Sequence, residues 1–297
     1  MLAVITPYVD SVLVVAMSYA VITLGLQLTL ASGQFSVAHA ALAGLGGYAA
    51  GLASIDGHWP FPLALASGAA TGLVAGAILA AALARTSGIL LGTVTIAVGQ
   101  TLAVLMRNLD TAFGLRLGGS QGLSGIPTRT SLGWAAGTLA VALAAALALR
   151  ASGVGLSMLA VGRDETVARS LGISVLATRL WGFAGGGALA GLGGALIAHN
   201  NGIVEPKDLS FASEPLFFIF LMIGGLATPW GAVAGAVGVW WLQELLRFPW
   251  SDDGTFGFLD QQDRYWILGV VLILVVLFRQ QGAIPRRALR APSGAAQ

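Results

Sequence analysis

Two short stretches hold most of the residues that could do chemistry. "SGQFSVAH", residues 32–39, sets Gly33 beside Gln34, Ser36 and His39. "AVGRDETVARSLGI", residues 160–173, gathers Arg163, Asp164, Glu165 and Arg169 into one charged segment. Neither stretch is a catalytic set, because no Ser, His and Asp group and no carboxylate pair can be assembled without drawing on distant loops. The chain has no cysteine, so thiol nucleophiles, disulfides and thiolate metal sites are excluded. "GGGALAGLGG" (185–194) lacks the GK[ST] ending of a phosphate loop and lies inside an apolar run, so the chain carries no nucleotide-binding motif of its own. What remains is hydrogen bonding within apolar surroundings in the first stretch, and a charged surface helix in the second.

Both stretches must be positioned by helices that cross a bilayer. The chain is 56% hydrophobic and 9% charged over 297 residues, and its mean hydropathy is +0.83, well beyond what a soluble core needs. Its net charge of +2 implies no nucleic-acid surface. "MLAVITPYVD" lacks a basic leader region and reads as the start of the mature protein. Apolar runs at 9–31, 33–55, 61–84, 88–106, 132–149, 180–198, 215–227, 231–246 and 265–278 predict an all-α polytopic transmembrane bundle of about 8–10 spans. The pair split at "GGLATPWG" reads as either two spans or a re-entrant, broken one. With residues 1–297 as a single transmembrane domain, alternation puts Arg85, Arg150, Arg163, Arg169, Arg179, Arg279, Arg286, Arg287 and Arg290 on one side. By the positive-inside rule that side is the cytoplasm, with the C-terminus inside and the N-terminus outside.

Glycine spacing says how the spans pack. Gly47 and Gly51, Gly68, Gly72 and Gly76, Gly182 and Gly186, Gly187 and Gly191, and Gly231 and Gly235 all recur at four-residue intervals, which lets helix backbones approach closely in lipid. Gln27 and Gln100, in mid-span, read as helix–helix hydrogen bonders. In "SGQFSVAH" a helix break at Ser32 and Gly33 turns Gly33, Gln34, Ser36 and His39 toward either a central path or a neighbouring helix.

The charged segment reads as a cytoplasmic helix of about ten residues. Asp164 and Glu165 stand in its first turn, Glu165 pairs with Arg169, Gly172 stops it, and Thr178 caps the next span. Val167, Ala168 and Leu171 share one apolar face. Such a helix either lies on lipid headgroups or docks into a cytoplasmic partner. In the long outer loop 107–131, Gly118, Gly119 and Ser120 can present backbone N–H groups to a carboxylate, or the loop merely covers the spans and meets another protein.

Glu165, Ala168 and Gly172 in "RDETVARSLGI" resemble the coupling-loop motif of ABC importer permeases, and specifically the LivM-type branch of the branched-chain amino acid permeases. "SGQFSVAHAALAGLGGYAAG" (32–51), "GGSQGLSGIP" (118–127) and "FLMIGGLATPWGAVAGA" (220–236) resemble that family's other motifs in the same order, with departures at Leu117, Gln121 and Pro229. The resemblance implies a non-enzymatic permease subunit of a bacterial inner membrane, moving branched-chain amino acids or related small amphipathic solutes by alternating access. It implies a related second permease subunit, two cytoplasmic ATPase subunits that hold the ATP and magnesium, and an extracytoplasmic solute-binding protein. This chain would bind no cofactor or metal. The loop at 155–178 becomes the coupling loop, with Asp164, Glu165, Val167, Ala168, Leu171 and Gly172 at the ATPase. Urea or short-chain amide uptake is the alternative within the class. An ion-coupled secondary transporter would call for buried mid-span carboxylates, of which the sequence displays no set, and a purely structural membrane protein would leave both stretches without a task.

Overall fold

The computed structural model describes residues 2–83, 86, 88–113, 117–247 and 269–270. Ten helices run through them: α1 Leu2–Ala31, α2 His39–Ile55, α3 Phe61–Ala82, α4 Gly88–Phe113, α5 Leu132–Ala151, α6 Gly153–Arg163, α7 Glu165–Ser170, α8 Val175–Asn201, α9 Glu214–Gly224 and α10 Pro229–Arg247. Five of these contain stretches long and apolar enough to cross a membrane: Tyr8–Ala31, Phe61–Ala82, Gly88–Leu109, Leu132–Ala151 and Val175–Asn201.

The other apolar runs depart from the expected spans. The run 33–55 is not a continuous helix: residues 34–38 have no helical structure and α2 begins only at His39. The runs 215–227 and 231–246 form a pair, Phe211–Gly224 and Pro229–Glu244, bent by 115° at its break, so the broken reading holds and α9, at 11 residues, is half a span. The run 265–278 lies outside the described residues apart from 269–270. Thr178 does not cap α8. Ser174 does, accepting from Ala177 N at 3.4 Å, while the Thr178 hydroxyl turns back to the Ser174 carbonyl at 2.8 Å.

α8 is the central post, and glycine makes it so. A Cβ on Gly72 of α3 would lie 2.9 Å from the Gly187 carbonyl carbon and 3.1 Å from Gly191 Cα. A Cβ on Gly46 of α2 would lie 2.7 Å from the Gly191 carbonyl carbon, and one on Gly25 of α1 would lie 3.2 Å from Ala190 N. Backbones this close give van der Waals contact where lipid removes any hydrophobic drive between helices. The pairings fix direction: α1 and α3 run antiparallel to α8, and α2 runs parallel to it. Around this seam the apolar core joins Ile22, Leu24 and Leu26 of α1 to Phe217, Phe220 and Leu221 of α9.

Two ends of the bundle follow. One holds the break 32–38, the α6–α7 arm and the α9–α10 turn, where the Arg150 guanidinium donates to the Ala227 carbonyl. The other holds Trp59, the loop 117–131 and the segment 202–213. There a two-residue antiparallel ladder, β1 (Leu123–Ser124) with β2 (Ile203–Val204), pairs Leu123 with Val204 and ties the loop over the end of α8.

Candidate translocation site

The arm is shaped by its caps. Ser152 opens α6 by accepting from Gly155 N at 3.3 Å, and Asp164 opens α7 by accepting from Thr166 N and Val167 N at 2.8 and 3.0 Å. Asp164 is therefore the cap rather than a first-turn residue, and α7 has six residues instead of the ten expected. A helix that short does not persist alone, and tertiary contacts hold it. Ala168, 1% exposed, packs with Val161 and Val175, whereas Val167 and Leu171 are 53% and 72% exposed. The expected common face of Val167, Ala168 and Leu171 is thus divided: Ala168 anchors the arm, and Val167 with Leu171 is left outside. Glu165 holds Arg169 at 2.5 Å, as the spacing predicts, and also Arg179 of α8 at 2.9 Å. The exposed Arg169 pair counts for little; the nearly buried Arg179 fastens the arm to the central post.

From Arg179 a polar chain runs into the bundle. Gln34, 2% exposed, donates from Nε2 to the Arg179 carbonyl at 2.9 Å and to Ser32 Oγ at 3.0 Å. Gly33 lies beside this pair at φ +78°, where a Cβ would come within 3.1 Å of Gly162 Cα, so the break and the arm touch through glycine. Thr29 donates its hydroxyl proton to a helix carbonyl, Gly182 at 3.1 Å or Gly25 at 3.3 Å, and lies 3.1 Å from His39 Nε2. With one hydroxyl proton already given, Thr29 is the acceptor and His39 Nε2 the donor. His39 Nδ1 then faces Glu214 Oε1 at 3.9 Å.

Glu214 is the residue that sequence reasoning missed. It is fully buried, and its carboxylate accepts from the backbone N–H of His39 at 3.2 Å and of Ala40 at 2.5 Å. α2 starts inside the bundle without a side-chain cap from its own neighbour Ala38, so its exposed N–H groups need a partner in a medium without water, and the helix dipole favours an anion. Glu214 supplies both from α9. Deeper in the break, Val37 N donates to Thr95 Oγ1 of α4 at 3.0 Å, while the buried Ser36 Oγ and His39 Nδ1 have no hydrogen-bond partner among the described residues.

Above Ala40 a cavity of about 400 Å³ opens toward the Asn201 end. Its walls are largely apolar, with Ile22, Ile197, Leu216 and Phe217, and its polar groups are Tyr19, Asn201, Asp208, Ser213 and Gln243. That volume and lining suit a small amphipathic molecule. Gly44 and Gly47 of α2 form part of the wall. Asp208 is exposed at the mouth. The surrounding helices still crowd its carboxyl enough to raise its pKa above the usual carboxylate value, against the lowering effect of the Glu205 N–H.

Gly33, Gln34, Ser36 and His39 sit one layer below this cavity and do not line it; Ala40, next in the chain, does. Gly118, Gly119 and Ser120 lie in the outer loop, where Gly118 leads at φ +80° into a single 3-10 turn Gly119–Gln121, also away from the lining. Gln27 donates to the Leu226 carbonyl at 3.3 Å, in the turn between α9 and α10 rather than to another helix as expected, and Gln100 is exposed. No cluster of three or more His, Asp or Glu able to hold a metal ion occurs among the described residues.

Comparison with known proteins agrees with this architecture. No solved structure matches. The high-affinity branched-chain amino acid transport system permease protein LivM of Escherichia coli (strain K12) is 29% identical over 140 residues, covering 46% of this chain and 30% of that protein. The LivM protein of Salmonella typhimurium is 30% identical over the same length and shares. The matched stretch thus spans under a third of these relatives' length. The family model described as branched-chain amino acid transport system / permease component matches residues 8–277. The chain belongs to that family of transport permeases.

Proposed function

We propose that this chain is the membrane-spanning permease subunit of an ATP-driven importer, carrying branched-chain amino acids or closely related small amphipathic solutes across a bacterial inner membrane. The α6–α7 end faces the cytoplasm, as its arginines favour, and the cavity faces outward. A second, related permease completes the path, an extracytoplasmic binding protein delivers the solute, and two cytoplasmic ATPases bind ATP and magnesium. This chain holds neither.

The observation that carries the reading is the continuous connection from arm to cavity. Val167 and Leu171 are exposed on a helix pinned by Glu165 to Arg179. The Arg179 carbonyl is bonded to Gln34, and the break continues through Thr29 and His39 to Glu214, which lies between the cavity residues Ser213 and Leu216. A partner that pulls on the arm therefore pulls on the floor of the cavity. Two arrangements of such a packed network, each biased by the partner's nucleotide state, suffice for alternating access.

The test is uptake into proteoliposomes containing the chain with its genomically adjacent permease, ATPases and binding protein. ATP-dependent leucine, isoleucine or valine uptake that vanishes without the ATPases supports the reading. Buried Glu214 and His39 also resemble an ion-coupled site, and uptake driven by a proton gradient with no ATPase present would overturn the importer in favour of a secondary transporter. Uptake of urea or short amides alone would move the solute to that class.

A further inference from the structure

We propose that Asp208 is the subsite for the ammonium group of the transported solute, the apolar walls taking its side chain and neutral amide and hydroxyl donors taking its carboxylate. This rests on the cavity being the solute's path.

Among the described residues, Asp208 is the one acidic side chain in the lining of the cavity, and no Lys or Arg joins it there. Its carboxylate is held from one side: Oδ2 accepts from Glu205 N at 3.1 Å, which fixes the 3-10 turn Pro206–Leu209. The nearest cation, Lys207, is drawn off by Glu205 at 2.5 Å, and its ammonium is exposed. Asp208 therefore faces the cavity as an anion without a cation of its own in the lining. The remaining polar lining is neutral and can donate. Asn201 Oδ1 is occupied by Asn200 Nδ2 at 3.0 Å, which leaves the Asn201 amide N–H₂ to donate. Tyr19, Ser213 and Gln243 add donors among the same walls. One acceptor of full negative charge, several neutral donors and an apolar floor match a zwitterion with an aliphatic side chain. A neutral solute such as urea can donate hydrogen bonds to the carboxylate but brings no positive charge to balance it, so the site favours the ligand that supplies the complementary charge.

Asp208→Asn is a clean probe, because its side-chain oxygen can still accept from Glu205 N and keep the turn while the charge is lost. The chain has no native cysteine, so Ala212→Cys, on the cavity wall, places a single thiol near Asp208. In whole membranes, the modification rates of that thiol by a cationic (2-aminoethyl) and an anionic (2-sulfonatoethyl) methanethiosulfonate are compared. The ratio of cationic to anionic rate is expected to fall on the order of tenfold when Asp208→Asn is added, to be retained with Asp208→Glu, and to shrink in high salt. In the reconstituted transporter, Asp208→Asn is expected to raise the KM for leucine on the order of tenfold, with the complex still co-purifying. An unchanged rate ratio, or a thiol that neither reagent reaches, overturns the subsite. So does leucine uptake with parental KM in Asp208→Asn. A parental transporter that moves no amino acid, while the rate ratio still depends on Asp208, instead overturns the proposed function and leaves a cation-selective cavity.

Discussion

Replacing Gly72 by alanine adds one methyl group to the seam between α3 and α8. The new Cβ would lie 2.9 Å from the Gly187 carbonyl carbon and 3.1 Å from Gly191 Cα, and closer still to the Gly187 oxygen. Nonbonded carbons prefer about 3.5–4.0 Å, so α3 and α8 must separate by about half an ångström or more. The obstacle is backbone on a helix that α1 and α2 also grip, so no side chain can swing aside. A radial gap of about 0.5–1 Å already forfeits a quarter to a half of each contact's attraction along the seam, and overpacking of this kind typically costs about 1–3 kcal/mol. The control is Gly137 of α5, where a Cβ meets nothing within 4 Å. There alanine should stabilise by about 0.5–1 kcal/mol, because glycine is the poorer helix residue. Thermal unfolding of the purified chain in lipid nanodiscs should show Gly72→Ala melting lower by about 2–4 °C per kcal/mol lost, and Gly137→Ala at or above the parent. Equal melting of the parent and Gly72→Ala would refute the seam as the main source of cohesion.

On the arm, Leu171→Asp should leave the isolated chain's melting unchanged, because Leu171 is 72% exposed, yet it should lower ATPase co-purification at least tenfold, since burying an unpaired charge at a docking surface costs several kcal/mol. Ala168→Asp should destabilise the chain itself, because that residue is enclosed by Val161 and Val175; limited proteolysis within 155–178 reads the difference. Gln34→Leu removes two buried bonds, to Ser32 and Arg179, and should lower stability by about 1–3 kcal/mol while leaving membrane insertion, followed by fractionation, intact. Crowding holds the Asp208 carboxyl above the usual carboxylate pKa, the Glu205 N–H and Lys207 opposing the rise and the Glu205 carboxylate adding to it. The ionised form is the one that attracts a cation, so the cationic preference at Ala212→Cys should fade as external pH falls, starting at a higher pH than for an ordinary carboxylate near about 3.9; the ratio of the two modification rates against pH checks the sign.

Much of the packing could be read from the sequence because glycine speaks locally. Gly68, Gly72 and Gly76 have few uses in an apolar helix other than close approach, and they meet α8. Ser32 and Gly33 announced the break. Glu214 did not, because "SEPL" before an apolar run is the ordinary way to begin a helix at a surface. That its carboxylate closes the N-terminus of a helix 174 residues earlier is decided by where 202–213 descends into the bundle. Ala168 misled for a related reason. A helical wheel groups it with Val167 and Leu171, but in a six-residue helix the neighbours Val161 and Val175 choose which side turns inward. The cavity was hidden as well, since its walls come from five helices and the segment joining two of them.

The half-length of α9 has an electrical consequence. Eleven residues rise about 16 Å, against a hydrocarbon layer of about 30 Å. If the cavity opens outward as proposed and fills with water, the transmembrane voltage would fall mainly across this thin septum rather than across the whole layer. A solute of unit net charge would do work of about 2.3 kcal/mol per 100 mV within that short distance. A zwitterion, whose two charges cancel, crosses it at no net electrical cost, so its import through this fold should be nearly indifferent to membrane potential.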